Sequence, residues 1–320
     1  MSEYFWKKKR ILVTGGYGFL GKCVITRLRE FSDIDEIIIF HSKDFDLRRE
    51  AEVKKLFESY GKINIVIHLA GDVGGISYNK SFPGAIFYNN LMMNTLMMEY
   101  CRLNGVKKFV GIGTVCAYPK FSPIPFKETD LWSGYPEETN ASYGLAKKMM
   151  LVQGQAYRQQ FGFNAVHLLM INLYGPRDNF DPDNSHVISG LIRKFHEAKI
   201  KGTEKVILWG TGNPTREFLY VEDAAEAIIL ATEKYNKPDP VNIGCGREIS
   251  IKDLAYLIAE LTDFHGEIAW DSTKPDGQPR RCLDTSRAQQ EFGFKAKTDL
   301  RTGLIKTIAW YERSLQEAGK

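Results

Sequence analysis

Long apolar runs are missing from this 320-residue chain: no stretch of about 18 uncharged apolar residues occurs, so no membrane-spanning helix is expected. The first basic run precedes a segment that reads as a strand ending in glycines (MSEYFWKKKRILVTGG), which also speaks against a cleaved signal peptide. Cysteine is scarce. Cys23, Cys101, Cys116, Cys245 and Cys282 are odd in number, widely spaced and free of any CxxC pair. That excludes a disulfide scaffold and structural zinc and points to a reducing, cytoplasmic location, with no metal expected. Charge of a single sign is lacking too: 43 basic and 39 acidic residues leave a formal +4 with the signs interspersed. Without a basic stripe or a recognition module, no nucleic-acid partner is expected. Lys7-Lys8-Lys9-Arg10, the densest basic run, reads as a solvated lead-in to the first strand. Repeats and low-complexity linkers are absent. What is present is a hydrophobic share of 43%, which excludes a disordered chain, and a length that fits a large domain with a smaller partner.

The first 170 or so residues alternate apolar runs with amphipathic stretches. Strands are predicted at 10–14, 37–40, 65–69, 108–113 and 165–171, with helices near 21–30, 50–59, 90–102 and 142–160. Fully apolar strands separated by helices predict an α/β fold: a Rossmann-type parallel sheet with helices on both faces. Beyond Asn172 the rhythm breaks into a polar loop, YGPRDNFDPDNSH (174–186), of functional character. Helices at 187–199, 221–234, 250–261 and 300–314 follow, with a strand at 206–209. Ser250 and Asp253 form a capping box in carboxylate form. A smaller α/β substrate domain woven from C-terminal segments is expected. The division is 1–172 for cofactor, with return segments near 217–245, and 173–216 and 246–320 mainly for substrate.

The run Gly15-Gly16-Tyr17-Gly18-Phe19-Leu20-Gly21 directly follows the first strand. Glycines at 15, 18 and 21 turn the strand tightly, let a pyrophosphate approach the backbone and seat a helix against the sheet. Gly15, Gly18, Phe19, Leu20 and Gly21 are therefore candidate dinucleotide contacts. NAD binders place a carboxylate at the end of the second strand, whereas this chain reads Phe40-His41-Ser42-Lys43-Asp44. NADP(H) is favoured, with Ser42 and Lys43 as candidate 2′-phosphate contacts and Asp44 as the opposing feature. Asp46 and Leu47 are placed to line the adenine, and Leu69, Ala70 and Gly71 end the third strand beside the pyrophosphate.

Tyr143 and Lys147 lie four residues apart, on one helix face. An ammonium beside a phenol favours phenolate, so Lys147 is expected to lower the Tyr143 pKa and to hold the cofactor ribose. Thr114, just past the fourth strand, can share a substrate oxygen with Tyr143. Two other residues stay open on their own chemistry: Cys116 reads equally as a buried structural thiol or a reactive one, and His186 as a helix-start histidine or a functional one.

The stretches 73–93, GTVCAYPK (113–120), SYGLAKK (142–148), NLYGPRDNFDPDNSHVI (172–188), VILWGTGNPTREFLYVEDAA (206–225) and STKPDG (272–277) resemble the extended short-chain dehydrogenase/reductase family. Within it they are most similar to the GDP-L-fucose synthases. The resemblance implies NADPH-dependent epimerisation at C3″ and C5″ and reduction at C4″ of GDP-4-keto-6-deoxy-D-mannose, a GDP-sugar. The alternative is a reductase or epimerase acting on a related GDP-deoxyhexose or GDP-heptose 4-keto intermediate. It also implies that Cys116 and His186 are the proton-transferring pair, with His186 near the nicotinamide, and that Asn172 and Leu173 meet the nicotinamide amide. Arg216 and Lys194 would bind the diphosphate, Trp209 would pack on the nucleotide or sugar, and Asp276 would accept from hydroxyls or base. The chain departs from the family in Thr114-Val115, where paired serines are usual, in the lysine at 194, and in Tyr17. A homodimer is expected, as in the superfamily. Its four-helix interface would use Leu91, Met92, Met93, Leu96 and Met97 from one helix and Leu145, Met149, Leu151 and Val152 from the other.

Overall fold

The computed structural model describes residues 3–182, 184–274 and 276–318. Asp183 and Pro275, inside two of the motifs above, lie outside the described residues. The first half runs α1 (Glu3–Trp6), β1 (Arg10–Thr14), α2 (Phe19–Leu28), β2 (Glu36–Ile38), α3 (Glu50–Tyr60), β3 (Ile65–His68), α4 (Ile76–Ser81), α5 (Pro83–Leu103), β4 (Lys108–Thr114), α6 (Ala141–Phe161) and β5 (Ala165–Met170). The second half runs β6 (Asn172–Tyr174), α7 (Val187–Ile200), β7 (Lys205–Trp209), β8 (Thr215–Tyr220), α8 (Val221–Lys234) and β9 (Val241–Ile243). It closes with β10 (Glu248–Ser250), α9 (Ile251–Leu261), β11 (Glu267–Asp271), α10 (Ser286–Phe292) and α11 (Leu300–Ala318).

Six parallel strands in the order β2-β1-β3-β4-β5-β9 form the main sheet. The central strands β3, β4 and β5 are buried at every position, as a sheet covered on both faces requires. One apolar core, containing Val24, Leu28, Ile228 and Leu168, lies under α2 and α8; a second, containing Leu56, Met97, Met98 and Met150, lies under α3, α5 and α6. A third core, built on Tyr174, Ile192, Phe195, Ile258 and Leu304, belongs to the smaller C-terminal α/β layer. That layer holds the sheet β10-β8-β6 and the parallel pair β11-β7. The Rossmann-type sheet with a smaller subdomain is thus as expected. β1 connects to β2 on one side and the chain then returns to β3 on the other, so the loops after β1 and β3 flank a switch point, where open α/β sheets bind ligands.

Several boundaries differ from the sequence reading. β2 ends at Ile38 rather than Phe40, and the helix expected from Asn90 starts at Pro83, where proline at N1 suits a helix start. Ser250 does accept from the Asp253 N–H (2.9 Å), but the Asp253 carboxylate takes the Ser250 hydroxyl (2.6 Å), so only half of the capping box forms. Met97 and Leu151, expected at a subunit interface, are core residues, whereas Met149 and Val152 remain exposed.

Candidate active site

A cleft of about 1790 Å³ runs across the carboxyl ends of β1, β3, β4 and β5 and under the smaller layer. At its floor, Gly15 adopts a left-handed backbone (φ 68°) and its amide plane touches the start of the next loop, since a Cβ there would sit 3.0 Å from the Ala70 nitrogen. A Cβ on Gly21 would collide with the Gly15 carbonyl oxygen. Gly18 caps α2 without a side-chain bond, leaving the helix's first N–H groups and positive dipole end toward the cleft. This glycine-built cradle fits a dinucleotide pyrophosphate. Phe19 and Leu20 line it, as do Leu69, Ala70 and Gly71.

The loop after β3 is held from behind. Thr14 Oγ1 accepts the Ala70 N–H (3.1 Å) and lies 2.8 Å from His68 Nδ1, whose other ring nitrogen is 3.1 Å from Asn94 Oδ1. Burial, reinforced by the Lys147 charge, pushes His68 down to about 3. The ring is therefore neutral, so Thr14 donates to Nδ1 and Nε2–H donates to Asn94. The Ala70 carbonyl, fixed in this way, accepts from Lys147 Nζ at 3.4 Å.

Beyond β2, Ser42 and Lys43 are exposed on the cleft rim. Asp44, the feature that opposed a 2′-phosphate, turns back into its own loop, its carboxylate accepting the His41 N–H at 3.0 Å. Tyr17 stacks on His41 with ring centroids 3.8 Å apart. Leu47 is buried, and Asp46 is paired with Arg48 through two bonds of 2.8 Å, which hold its carboxyl below the usual range.

Past β4 the chain makes a tight 3₁₀ turn, Val115–Ala117, with Thr114 Oγ1 accepting the Cys116 N–H at 3.2 Å. Helix α6 packs directly on that turn: a Cβ on Gly144 would collide with the Cys116 carbonyl oxygen. Thr114, Cys116 and Tyr143 are thereby brought together in the cleft wall. Burial raises the Tyr143 phenol, Cys116 adds to this, and a hydrogen bond with Thr114 partly offsets it. This corrects the phenolate expectation. Lys147 lies behind the cleft wall, with its own pKa lowered by burial from 10.5 to about 8. Tyr143 is accordingly a protonated hydrogen-bond donor.

The cleft is also lined by His186 at the N-cap of α7, Lys194 within that helix, and Asn172 and Leu173 of β6. Trp209 is 64% exposed beneath Lys274, whose Nζ is 5.6 Å from the ring centroid. Asp276 is less free than expected. Its two carboxylate oxygens accept the N–H (2.7 Å) and hydroxyl (2.8 Å) of Thr211 and tie two loops together. Arg216 enters the cleft with burial, then the neighbouring Arg281, lowering its pKa to about 10, so it stays charged at neutral pH. Sequence reasoning missed Arg281. It is buried, its guanidinium is held by Gln278 Oε1 (2.8 Å), and its Nη1 lies 3.7 Å from Cys116 Sγ. The signal was the Arg280-Arg281 pair just after the STKPDG motif. Two arginines facing one partly buried cavity repel each other unless an anion lies between them.

A model of the NAD dependent epimerase/dehydratase family matches residues 11–244. The chain belongs to that family. It is 40% identical over 309 residues to GDP-L-fucose synthase 1 of Arabidopsis thaliana, spanning 97% of this chain and 95% of that relative. Among solved structures, a GDP-6-OMe-4-keto-L-xylo-heptose reductase from C. jejuni is similar with a TM-score of 0.91 at 27% identity, covering 98% of this chain and 99% of that one. A GDP-L-fucose synthetase from Naegleria fowleri, bound to NADP, has a TM-score of 0.86 at 30% identity, covering 98% and 97%. The motif resemblance is borne out. The protein is an NADP-dependent oxidoreductase/epimerase of the GDP-L-fucose synthase type, and NADP(H) is its cofactor. Among the described residues no helix is long and apolar enough to cross a membrane.

Proposed function

We propose that this enzyme takes GDP-4-keto-6-deoxy-D-mannose, inverts C3″ and C5″ and reduces C4″, yielding GDP-L-fucose. One observation carries this reading: a cysteine thiol stands beside Thr114 and Tyr143 in the cleft wall, and His186 lines the same cleft. Ketone reduction alone calls for the tyrosine and the lysine. A thiol and an imidazole flanking the same cavity are called for when protons must also leave and return at carbon.

The 4-keto group acidifies both neighbouring carbons. Cys116, acting as thiolate, takes the proton from one face and becomes a thiol, the C–H electron pair passes into an enolate, and the oxygen accepts from Thr114 and Tyr143. His186 returns a proton to the other face, and the two groups then exchange their protons with water. The protonated state of Tyr143 suits it both to steady the enolate and to give its proton to the C4″ oxygen on reduction. Bound NADPH supplies the hydride. Lys147, held against the Ala70 carbonyl just behind the cleft wall, would hold the ribose end of the cofactor. Gly15, Gly18 and Gly21 would carry the pyrophosphate, Asp46 and Leu47 the adenine, Ser42 and Lys43 the 2′-phosphate, and Asn172 and Leu173 the nicotinamide. Arg216 takes the substrate diphosphate, with Arg281 and Lys194 supplementing its charge, and Trp209 and Asp276 flank the nucleotide.

Residues 1–172 form the cofactor unit in this reading, with 217–245 returning to it; α8 and β9 beside the main sheet support that return. Residues 173–216 and 246–320 form the substrate unit. The exposed faces of α5 and α6, with Tyr88, Met149 and Val152, support a homodimer across a four-helix interface, and free cysteines support a cytoplasmic location.

Deuterium wash-in from D2O at C3″ and C5″, read by mass spectrometry beside NADPH oxidation, tests the assignment. Cys116→Ser should lose wash-in and keep NADPH binding, because a serine hydroxyl is far too weak a base. Tyr143→Phe should lose roughly 100-fold or more in reduction. Wild-type wash-in at both carbons in Cys116→Ser would leave the cysteine no proton-transfer role.

A further inference from the structure

The loop between β6 and α7 carries an arrangement that none of the roles above uses. Gly175 has φ 151° and Arg177 adopts a left-handed backbone with φ 71°. For an arginine that conformation is strained. The kink turns Asp178 inward: it is only 8% exposed, although Arg177 and Asn179 on either side of it are exposed. One carboxylate oxygen, Oδ1, accepts the Asn179 N–H at 2.7 Å. The other, Oδ2, is buried and makes no hydrogen bond among the described residues. A buried carboxylate with an orphan oxygen is unfavourable, and a strained turn that produces one calls for a purpose. The basic group paired with it is His186, whose Nδ1 lies 3.7 Å from Oδ1.

We infer that Asp178 is a positioning residue for His186: its carboxylate accepts a hydrogen bond from Nδ1–H and leaves Nε2 as the nitrogen that exchanges a proton with the sugar carbon. This role rests on the reading of His186 given above and deepens it. At 3.7 Å the contact is an ion-pair distance, just beyond hydrogen-bond length; catalytic contacts of this kind close when substrate fills the site. His186 also needs such a partner because it is the N-cap of α7, where the positive end of the helix opposes an imidazolium. The buried carboxylate offsets that field when the ring accepts a proton. The same division of labour, in which an acid fixes the tautomer of a histidine and steadies its charged form, recurs in unrelated acid–base sites.

The test is long-range proton–nitrogen correlation NMR of the full-length enzyme, with the His186 resonances assigned as those missing from His186→Gln. In the wild type at mildly alkaline pH, His186 should show a protonated Nδ1. Asp178→Ala should shift it to the Nε2–H form, slow deuterium wash-in about 10- to 100-fold, and leave the NADPH dissociation constant unchanged. Asp178→Asn preserves the shape of the turn and keeps a neutral acceptor. It should hold the tautomer while still slowing wash-in, because the charge is gone. Identical His186 resonances in wild type and Asp178→Ala, or an Nε2–H ring in the wild type, would overturn the assignment. If the wild type itself shows no wash-in, the proposed reaction fails, and the resonances still decide whether Asp178 sets the tautomer.

Discussion

Replacing Lys147 with methionine should make the cofactor-free protein more stable while disabling it. The Lys147 side chain is almost fully buried, its one neighbouring carbonyl is 3.4 Å away, and burial lowers its pKa from 10.5 to about 8. At about 1.4 kcal/mol per pH unit, that displacement corresponds to roughly 3 kcal/mol. The folded chain holds this proton less tightly than the unfolded chain does. The penalty is therefore complete below about pH 8, shrinks as pH rises toward 10.5, and is absent above that. Lys147→Met should melt about 5 °C higher at neutral pH, with the advantage fading between pH 8 and 10.5, and should lose most of its NADPH affinity by fluorescence titration. Thermal melts of both proteins across that range decide the matter. A variant less stable than wild type at neutral pH, or an advantage independent of pH, would refute the reasoning that a functional charge is buried here at a cost to the fold.

Lys43→Ala should weaken NADPH binding about 10-fold by loss of one charge-assisted phosphate contact and leave NADH binding unchanged; calorimetric titration with both cofactors separates the two, and equal losses would remove the 2′-phosphate assignment. Gly144→Ala places a methyl group against the Cys116 carbonyl, so it should cost both wash-in and reduction while NADPH still binds, as steady-state rates and titration will show. Light scattering should give twice the 36.5 kDa chain mass, and a concentration-independent single-chain mass would exclude the α5–α6 dimer.

The main sheet was legible because its strands are apolar at every position and its helices are long and amphipathic. Those patterns follow from burying a parallel sheet on both faces. The short strands β6, β8, β9, β10 and β11 were not foreseen; each has only three to six residues, and their pairing partners are remote in sequence. A run such as Glu248–Ser250 becomes a strand because Thr215–Glu217 lies alongside it, which local pattern cannot reveal. The glycine loop and the Tyr143/Lys147 spacing were legible because backbone geometry demands those residues at those intervals. Arg281 and Asp178 were not, since an arginine beside a thiol and an aspartate beside a histidine are contacts made only by the folded chain. Lys147 shows a further limit: helix spacing places it near Tyr143, but the depth of burial that raises the phenol depends on the whole surrounding layer.

The most direct measurement is NMR of the product formed by wild-type enzyme from GDP-4-keto-6-deoxy-D-mannose and NADPH in D2O. A single nucleotide sugar in the L-galacto configuration, deuterated at both C3″ and C5″ and formed with one NADPH consumed per molecule, is the predicted result. A C4″-reduced sugar carrying no deuterium at those carbons, or exchange without NADPH consumption, would contradict a combined epimerase and reductase.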